Sequence, residues 1–517
     1  MHLAITMTCM VNSTAVSIME DKIFHPEHTN ITLEVIMDAD EANFTLPDSR
    51  CQRQADDGHP IVVDYGPTCN TLFQGTLFWS HQTQNIIFSA TFWGALLVIG
   101  PSMLIWHCCS PRLLLFAALL VYVASTSVTP WLALRLGPIA VFAARLFMGF
   151  GEGFVIPSVN ALIANWFPVE EKSTALALYT AGNQLAGALG NPMAAAFCAS
   201  SFGWPGVFYS IATIGTLWCV LWFFTSTDHP KNCKRISDKE YAYLTNNIMH
   251  SHNRAATASS VPYARIFTSS PFLAQLLCFY ITNLTITLFH FYVPSFLKDI
   301  LYLGVIANGT FSSLPNVVNL VVKIIWSLLM DRLKAKKVIT PTFAGKEQFT
   351  DRDESMLHMV IVRHFCLILA SFGSAVAFFL VALLVDCTTP VLALVLFCVM
   401  YGAMGGFSSG FYTSLLSLAP RYTSTMSAIS LFVGMLGRLS APPLVQFVKK
   451  TGTLGEWRIL FCIVGACNVV AGTVFLFFGS GDVQEWGRDD EHVNENSSEK
   501  LDEITLIEGK RAESLRV

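Results

Sequence analysis

Two residues of opposite charge lie within one apolar segment, ARLFMGFGEGFVIP, where Arg145 and Glu152 are seven residues apart. Seven residues make two turns of α-helix, so both side chains face the same way, about 10.5 Å apart along the axis. A charge at membrane depth costs several kcal/mol unless it faces a cavity or a partner. Arginine there can bind an anion with two hydrogen bonds, and a carboxylate can carry a proton. The alternative is a structural ion pair, with each other or with another helix.

Polar residues in other apolar segments are further candidates for substrate binding. Asn183 and Gln184 lie in YTAGNQLAG, where an amide that joins two helices is the alternative. Asn283 and His290 are two turns apart, and a packing histidine with satisfied hydrogen bonds is the alternative for His290. Arg438, in LFVGMLGRLSAPPLV, is either a second anion contact or the partner of a helix end.

Two other features of these segments have a structural interpretation. Lys323 lies about two turns from Asp331, and snorkelling to the membrane surface explains it as well as a role in a cavity does. Gly149, Gly151 and Gly153 favour close packing of helices rather than ligand binding.

The composition indicates that these segments cross a membrane. Of 517 residues, 53% are hydrophobic and only 13% are charged, whereas soluble domains carry about 25% charged residues. Apolar stretches of roughly 20 residues, long enough to span the hydrocarbon core, recur between about 85 and 480. The chain has no basic tract for nucleic acid and no zinc-spaced cysteine or histidine cluster. We therefore predict an all-α polytopic membrane protein without a metal, in which span cysteines are small hydrophobic residues.

The order of the spans indicates two similar halves. Residues 1–12 are predicted to be the far end of a first, truncated helix, and eleven further spans follow. They occupy 85–106, 113–133, 138–163, 174–197, 205–226, 272–297, 309–330, 359–384, 390–413, 425–448 and 457–479. The resulting domains are a loop at 13–84, an N-terminal half at 85–226, a connector at 227–270, a C-terminal half at 271–480 and a tail at 481–517. Six helices, a connector and six helices are typical of secondary transporters.

Charge distribution predicts the sidedness. The loop 13–84 is acidic and carries glycosylation sequons at Asn30 and Asn43, with Cys51 and Cys69 as candidates for a disulfide. These features indicate an extracellular or lumenal face. The connector 227–270 is basic, which places it in the cytosol. The acidic tail is then cytosolic and predicted to be disordered.

Several ordered segments resemble one family. GEGFVIPSVNALIANWFPVEEKSTALALYTAGNQLAG, NGTFSSLPN and LAPRYTSTMSAIS are similar to the sodium-phosphate cotransporter, sialin and vesicular glutamate transporter family of the major facilitator superfamily. The resemblance covers nearly the whole chain. It implies the major facilitator fold, alternating access, and movement of organic anions or phosphate coupled to H⁺ or Na⁺. It also implies a substrate or coupling arginine at Arg145, a protonatable Glu152 and a substrate-contacting Gln184.

The chain departs from this family at other positions. The first-helix arginine of the family aligns just before Met1. Vesicular glutamate transporters carry a histidine where this chain aligns Phe88 and an arginine where it aligns Thr282. Their His–Asp pair aligns with Leu415 and Ser417. A glutamate carrier is therefore disfavoured, and a divergent member with another substrate fits better.

The sequence predicts a secondary active transporter of a small anion, with no cofactor besides the co-transported ion. A receptor or scaffold of the same fold that carries no substrate is the alternative. Neither a metal site, a nucleophile elbow nor paired carboxylates support an enzyme. The predicted location is the plasma membrane or a vesicle or lysosome membrane, in contact with lipid. Asp502–Ile507 (DEITLI) fits a pattern that sorting adaptors bind.

Overall fold

The described part of the protein is almost entirely helical. The computed structural model describes residues 2–11, 75–105, 109–168, 171–233, 235–244, 262–335, 370–405, 418, 422–450, 452–479 and 484. The predicted glycosylation sites Asn30 and Asn43, the Cys51–Cys69 pair and the Asp502–Ile507 sorting pattern lie outside these ranges, so they stay predictions.

Within the described residues, six helices precede the connector. Helix α1 spans His2–Met10, α2 His81–Ile105, α3 Pro111–Arg135, α4 Pro138–Trp166, α5 Lys172–Cys198 and α6 Gly203–Thr225. The short helix α1 is buried along nearly all of its length, because it packs among α5, α6 and a helix of the second half. Residue Leu77 returns to its end, where the Leu77 amide donates to the Met10 carbonyl at 3.1 Å.

The second half follows a short connector helix, α7, at Tyr263–Thr268. Helix α8 spans Ser270–Asp299, α9 Val305–Ala335, α10 Ala370–Leu384, α11 Pro390–Gly405, α12 Thr423–Val448 and α13 Leu454–Phe478. Seven helices of the described chain are long and apolar enough to cross a membrane, and α10 and α11 are shorter apolar helices. Each of the eleven predicted spans overlaps one of the helices α2 to α6 and α8 to α13. Where both bounds are described they agree to within five residues, the largest difference being the end of α9 (330 predicted, Ala335 observed).

Close approach of helix backbones fixes the position of α4. Helices α2 and α4 cross at Gly94 and Gly149, where a Cβ on Gly149 would lie 2.8 Å from the Cα of Gly94. A Cβ on Gly151 would lie 3.2 Å from the Ala118 carbonyl oxygen of α3. Any larger residue at Gly94 or Gly149 would push α2 and α4 apart, so these glycines serve the packing that the sequence indicated.

In the described residues the two halves pack against each other mainly through four helix pairs: α1 with α8, α1 with α9, α2 with α12, and α5 with α9. The Lys298 ammonium donates to the Thr8 carbonyl at 3.1 Å, and the Tyr292 hydroxyl donates to Asn85 Oδ1 at 2.9 Å. These contacts lie at one end of the bundle, near the last residues of α1 and α5. We call it the disulfide end, because Cys9 and Cys198 are joined there.

The Cys9–Cys198 disulfide corrects one prediction. The interpretation of span cysteines as small hydrophobic residues is wrong for this pair, because α1 and α5 end side by side although 189 residues separate the two cysteines. Cys387 is disulfide-bonded as well. For Cys219 and Cys278 the interpretation agrees with the structure, since both are buried free thiols.

Candidate functional site

An ion pair joins the two halves of the bundle. Arg438 of α12 donates from Nη1 to Oε1 of Glu152 of α4 at 3.2 Å. The side chains are 29% and 23% exposed, so the pair borders accessible space instead of lying in a sealed core. Glu152 therefore has a partner on another helix, which was one of the alternatives that the sequence left open.

Asn283 orients the Arg438 guanidinium. Its Oδ1 accepts from Arg438 Nε at 3.0 Å, while its Nδ2 donates to the Phe279 carbonyl of the same helix at 2.8 Å. The close approach of α12 to α8 makes this contact available, because Gly437 lies directly against the Tyr280 carbonyl. The sequence-predicted residues Asn283, Arg438 and Glu152 thus form one hydrogen-bonded group.

Arg145 does not pair with Glu152. It lies two turns earlier on α4, is 7% exposed, and its guanidinium carbon lies 6.0 Å from the centre of the Phe208 ring. Nη1 contacts the Met148 sulfur at 3.9 Å, and Nε has no hydrogen-bond partner among the described residues. A buried arginine with an unused donor is unusual, because buried polar groups are normally paired.

Gln184 of α5 also has a buried polar atom without a hydrogen-bond partner, whereas its neighbour Asn183 does not. Its Oε1 is buried and makes no hydrogen bond in the described part of the chain. Asn183 is exposed and has no buried polar atom without a partner in the described part of the chain. Of the two, the geometry favours Gln184 as a group that is available to a ligand.

His290 belongs to a separate polar cluster in the second half. Its Nε2 lies 2.7 Å from the Tyr401 hydroxyl and 3.3 Å from Asn316 Oδ1. Asn316 in turn donates to the Ser312 carbonyl at 3.0 Å. These bonds agree with a packing histidine, the alternative to substrate binding. His290 makes no hydrogen bond to the Arg438–Glu152 pair among the described residues, although His290 and Tyr401 both lie within electrostatic range of Arg438.

Two further side chains were not assigned to the site from the sequence alone. Lys323 of α9 donates to Thr180 Oγ1 of α5 at 2.8 Å and so bridges the two halves. Tyr122 of α3 lies within electrostatic range of Glu152, Arg438, Arg145 and Tyr179. A tyrosine amid the apolar residues of α3 was the only signal for it, since its hydroxyl seeks a polar neighbour.

The structure also places two positions at which the chain departs from the family that it resembles. Phe88 packs edge-on against Phe291 and Tyr292, with ring centres 5.2 and 5.7 Å apart. Thr282 is buried in α8. Phe88 thus serves apolar packing between the halves, while Leu415 and Ser417 lie outside the described residues.

Comparison with known proteins agrees with this architecture. The sequence profile described as Major Facilitator Superfamily matches residues 58–442. An uncharacterized transporter of Caenorhabditis elegans, slc-17.3, is 44% identical over 97% of this chain and 89% of its own. Human sialin is 28% identical over 88% of this chain and 86% of its own. Sodium-dependent phosphate transport protein 3 of Mus musculus is 25% identical over 80% and 81%, respectively.

A solved structure supports the fold. The crystal structure of a D-xylose-proton symporter superposes with a TM-score of 0.60 at 15% sequence identity, over 78% of this chain and 90% of that one. At this identity the likeness concerns the arrangement of helices and not the substrate. The predicted fold class is therefore confirmed, and the relatives are transporters, not enzymes.

Proposed function

Since the chain belongs to the Major Facilitator Superfamily, in the branch that contains sialin and the phosphate and vesicular glutamate transporters, we propose that it moves a small organic anion or phosphate across a membrane together with a proton. The anion binds between the halves near Arg145 and Gln184. Glu152 carries the proton, and the two halves rock about this site to expose it to each side in turn.

The balance of charge in the membrane interior carries this proposal. Away from the helix ends, the described spanning helices contain three basic side chains, Arg145, Lys323 and Arg438, and one carboxylate, Glu152. A bound anion would offset this excess of positive charge, since charges at membrane depth are normally paired. The unused Arg145 Nε and Gln184 Oε1 are groups that such an anion, or a hydroxyl on it, would satisfy.

Uptake into proteoliposomes tests the proposal. We would measure labelled phosphate, L-glutamate and glucuronate under an imposed pH gradient, under an imposed Na⁺ gradient and in exchange for internal anion. Glu152→Gln should abolish uptake driven by the pH gradient and leave exchange intact, because the amide cannot carry a proton. Glu456→Gln, near the start of α13, is the matched control and should leave proton-driven uptake in place.

Undiminished proton-driven uptake by Glu152→Gln would contradict the role of Glu152. Uptake that follows the Na⁺ gradient alone would contradict proton coupling while leaving anion transport in place. A receptor without transport is not favoured, since the relatives with assigned activities are transporters.

A further inference from the structure

Arg438 and Glu152 each use the other as a partner across the boundary between the halves. The Nη1–Oε1 distance is 3.2 Å, and Arg438 Nε is held by Asn283. Because Asn283 orients the guanidinium from its own half, Arg438 would keep its position if Glu152 released it. The donor that now contacts Glu152 would then point into the accessible space beside the pair.

The surroundings of Glu152 contain no second described carboxylate that could replace it. Besides Arg438 of α12, the titratable group within electrostatic range of Glu152 is Tyr122 of α3, which also interacts with Arg145 of α4 and Tyr179 of α5. Arg438 in turn lies within electrostatic range of His290 of α8 and Tyr401 of α11. Helix α2 has no titratable residue between Gln82 and Ile105. None of these described neighbours is a second carboxylate, so a bound anion is the partner that we expect for Arg438 when Glu152 is neutral.

We propose that Arg438 is a second anion-binding residue and that Glu152 masks it. A carboxylate or phosphate group of the cargo competes with Glu152 for the same guanidinium. Protonation of Glu152 and binding of the anion to Arg438 therefore occur together. This inference rests on the proposed function, in which Glu152 carries the proton, and it assigns the coupling step to an exchange of partners on Arg438.

The exchange explains how proton and anion are kept together. In the empty protein Arg438 is paired with Glu152, and in the loaded protein it is paired with the anion, so Arg438 has a negatively charged partner in both states. A protein with only the proton bound would leave Arg438 without such a partner, which is strongly unfavourable at membrane depth. Linkage then requires the anion to strengthen proton binding by the same factor by which the proton strengthens anion binding.

Anion binding to the purified full-length protein tests the inference without requiring transport. Thermal unfolding in detergent would be followed against phosphate, L-glutamate and glucuronate at several pH values. We expect anion affinity in the native protein to rise as the pH falls. In Glu152→Gln it should be high and independent of pH, because the mask is removed.

Removing Arg438 in that unmasked background is the decisive step. The double variant Glu152→Gln with Arg438→Gln should bind the anion about ten- to hundredfold more weakly than Glu152→Gln alone. This is the effect expected for a lost hydrogen bond to a charged group. Arg438→Lys keeps the positive charge and is the control for a variant that fails to fold. Combined with Glu152→Gln, it should give an anion affinity between those of Glu152→Gln alone and the double variant with Arg438→Gln. Asp299→Asn removes the partner of Lys449 in a different ion pair, which measures 2.6 Å, and should leave the pH dependence of anion binding unchanged.

Two results would overturn the inference: equal affinity of Glu152→Gln with and without Arg438, or no anion response at all in Glu152→Gln. Failure of the proposed function looks different. If the native protein shows the expected binding pattern but no uptake into proteoliposomes, transport is refuted and the competition for Arg438 stands.

Discussion

Arg145 and Arg438 are both arginines at membrane depth, and they differ in what their guanidinium groups contact. Arg438 has a carboxylate and an amide oxygen as acceptors. Arg145 has a sulfur contact and the face of Phe208, with Nε unpaired among the described residues. Because an unsatisfied buried donor costs free energy, a ligand that supplies an acceptor there gains affinity.

This difference leads to a prediction for Arg145. Arg145→Lys keeps the positive charge but loses the planar fork that binds two oxygens at once. We expect the KM for the transported anion to rise about tenfold, the effect of roughly one lost charged hydrogen bond. The measurement is initial uptake against concentration of phosphate, L-glutamate and glucuronate in proteoliposomes.

Arg135→Lys is the matched control for this prediction. Arg135 is exposed at the end of α3, so the same chemical change there should leave KM unaltered. Equal KM values for the Arg145 and Arg135 variants would show that Arg145 does not contact the anion.

At the scale of the element, the start of α3 depends on a residue far along the chain. The Ser110 hydroxyl donates to the Asp228 carboxylate at 2.7 Å, and the Arg112 amide donates to the same group at 2.9 Å. Asp228 follows α6, so it ties the start of α3 to the end of α6. A carboxylate at this position is also favoured by the positive end of the α3 dipole.

We therefore expect Asp228→Asn to destabilise the protein by about 1–2 kcal/mol through loss of this cap. A lower Tm in detergent would report the loss. Asp238→Asn is the control, since Asp238 is exposed in the connector, and its Tm should match that of the native protein. An unchanged Tm for Asp228→Asn would mean that the cap contributes little.

At the scale of the whole molecule, the halves meet at the disulfide end. Asn191 Nδ2, about two turns before Cys198 on α5, donates to the Ser312 carbonyl of α9 at 3.3 Å. The Cys9–Cys198 disulfide agrees with the prediction that this end faces away from the cytosol, because disulfides persist in oxidising compartments. In the proposed mechanism of alternating access, these contacts between the halves separate during each cycle.

Fixing the halves together at this end should therefore stop transport. We expect Asn191→Cys with Ser312→Cys, bridged by a short bifunctional thiol reagent, to lose uptake of the transported anion and to regain it on reduction. Each single variant, treated identically, controls for reaction with native cysteines. Full uptake by the bridged double variant would contradict separation at this position.

The sequence by itself determined the helices and named most of the residues in the candidate site. Apolar segments of about 20 residues have few stable alternatives to a spanning helix, since every backbone group must be bonded within the membrane. Charged residues are rare in such segments because their burial in the membrane costs free energy. The amino-acid sequence alone therefore distinguishes Arg145, Glu152 and Arg438.

Only the tertiary structure decided which of these residues meet. The helical spacing placed Arg145 and Glu152 on one face, but Glu152 pairs with Arg438, 286 residues away. Cys9 and Cys198 meet in the same manner over 189 residues. Local periodicity fixes the direction of a side chain relative to its own helix. Its partner on another helix depends on where the helices cross, as at Gly94–Gly149 and Gly437–Tyr280. These crossing points result from packing of the complete bundle.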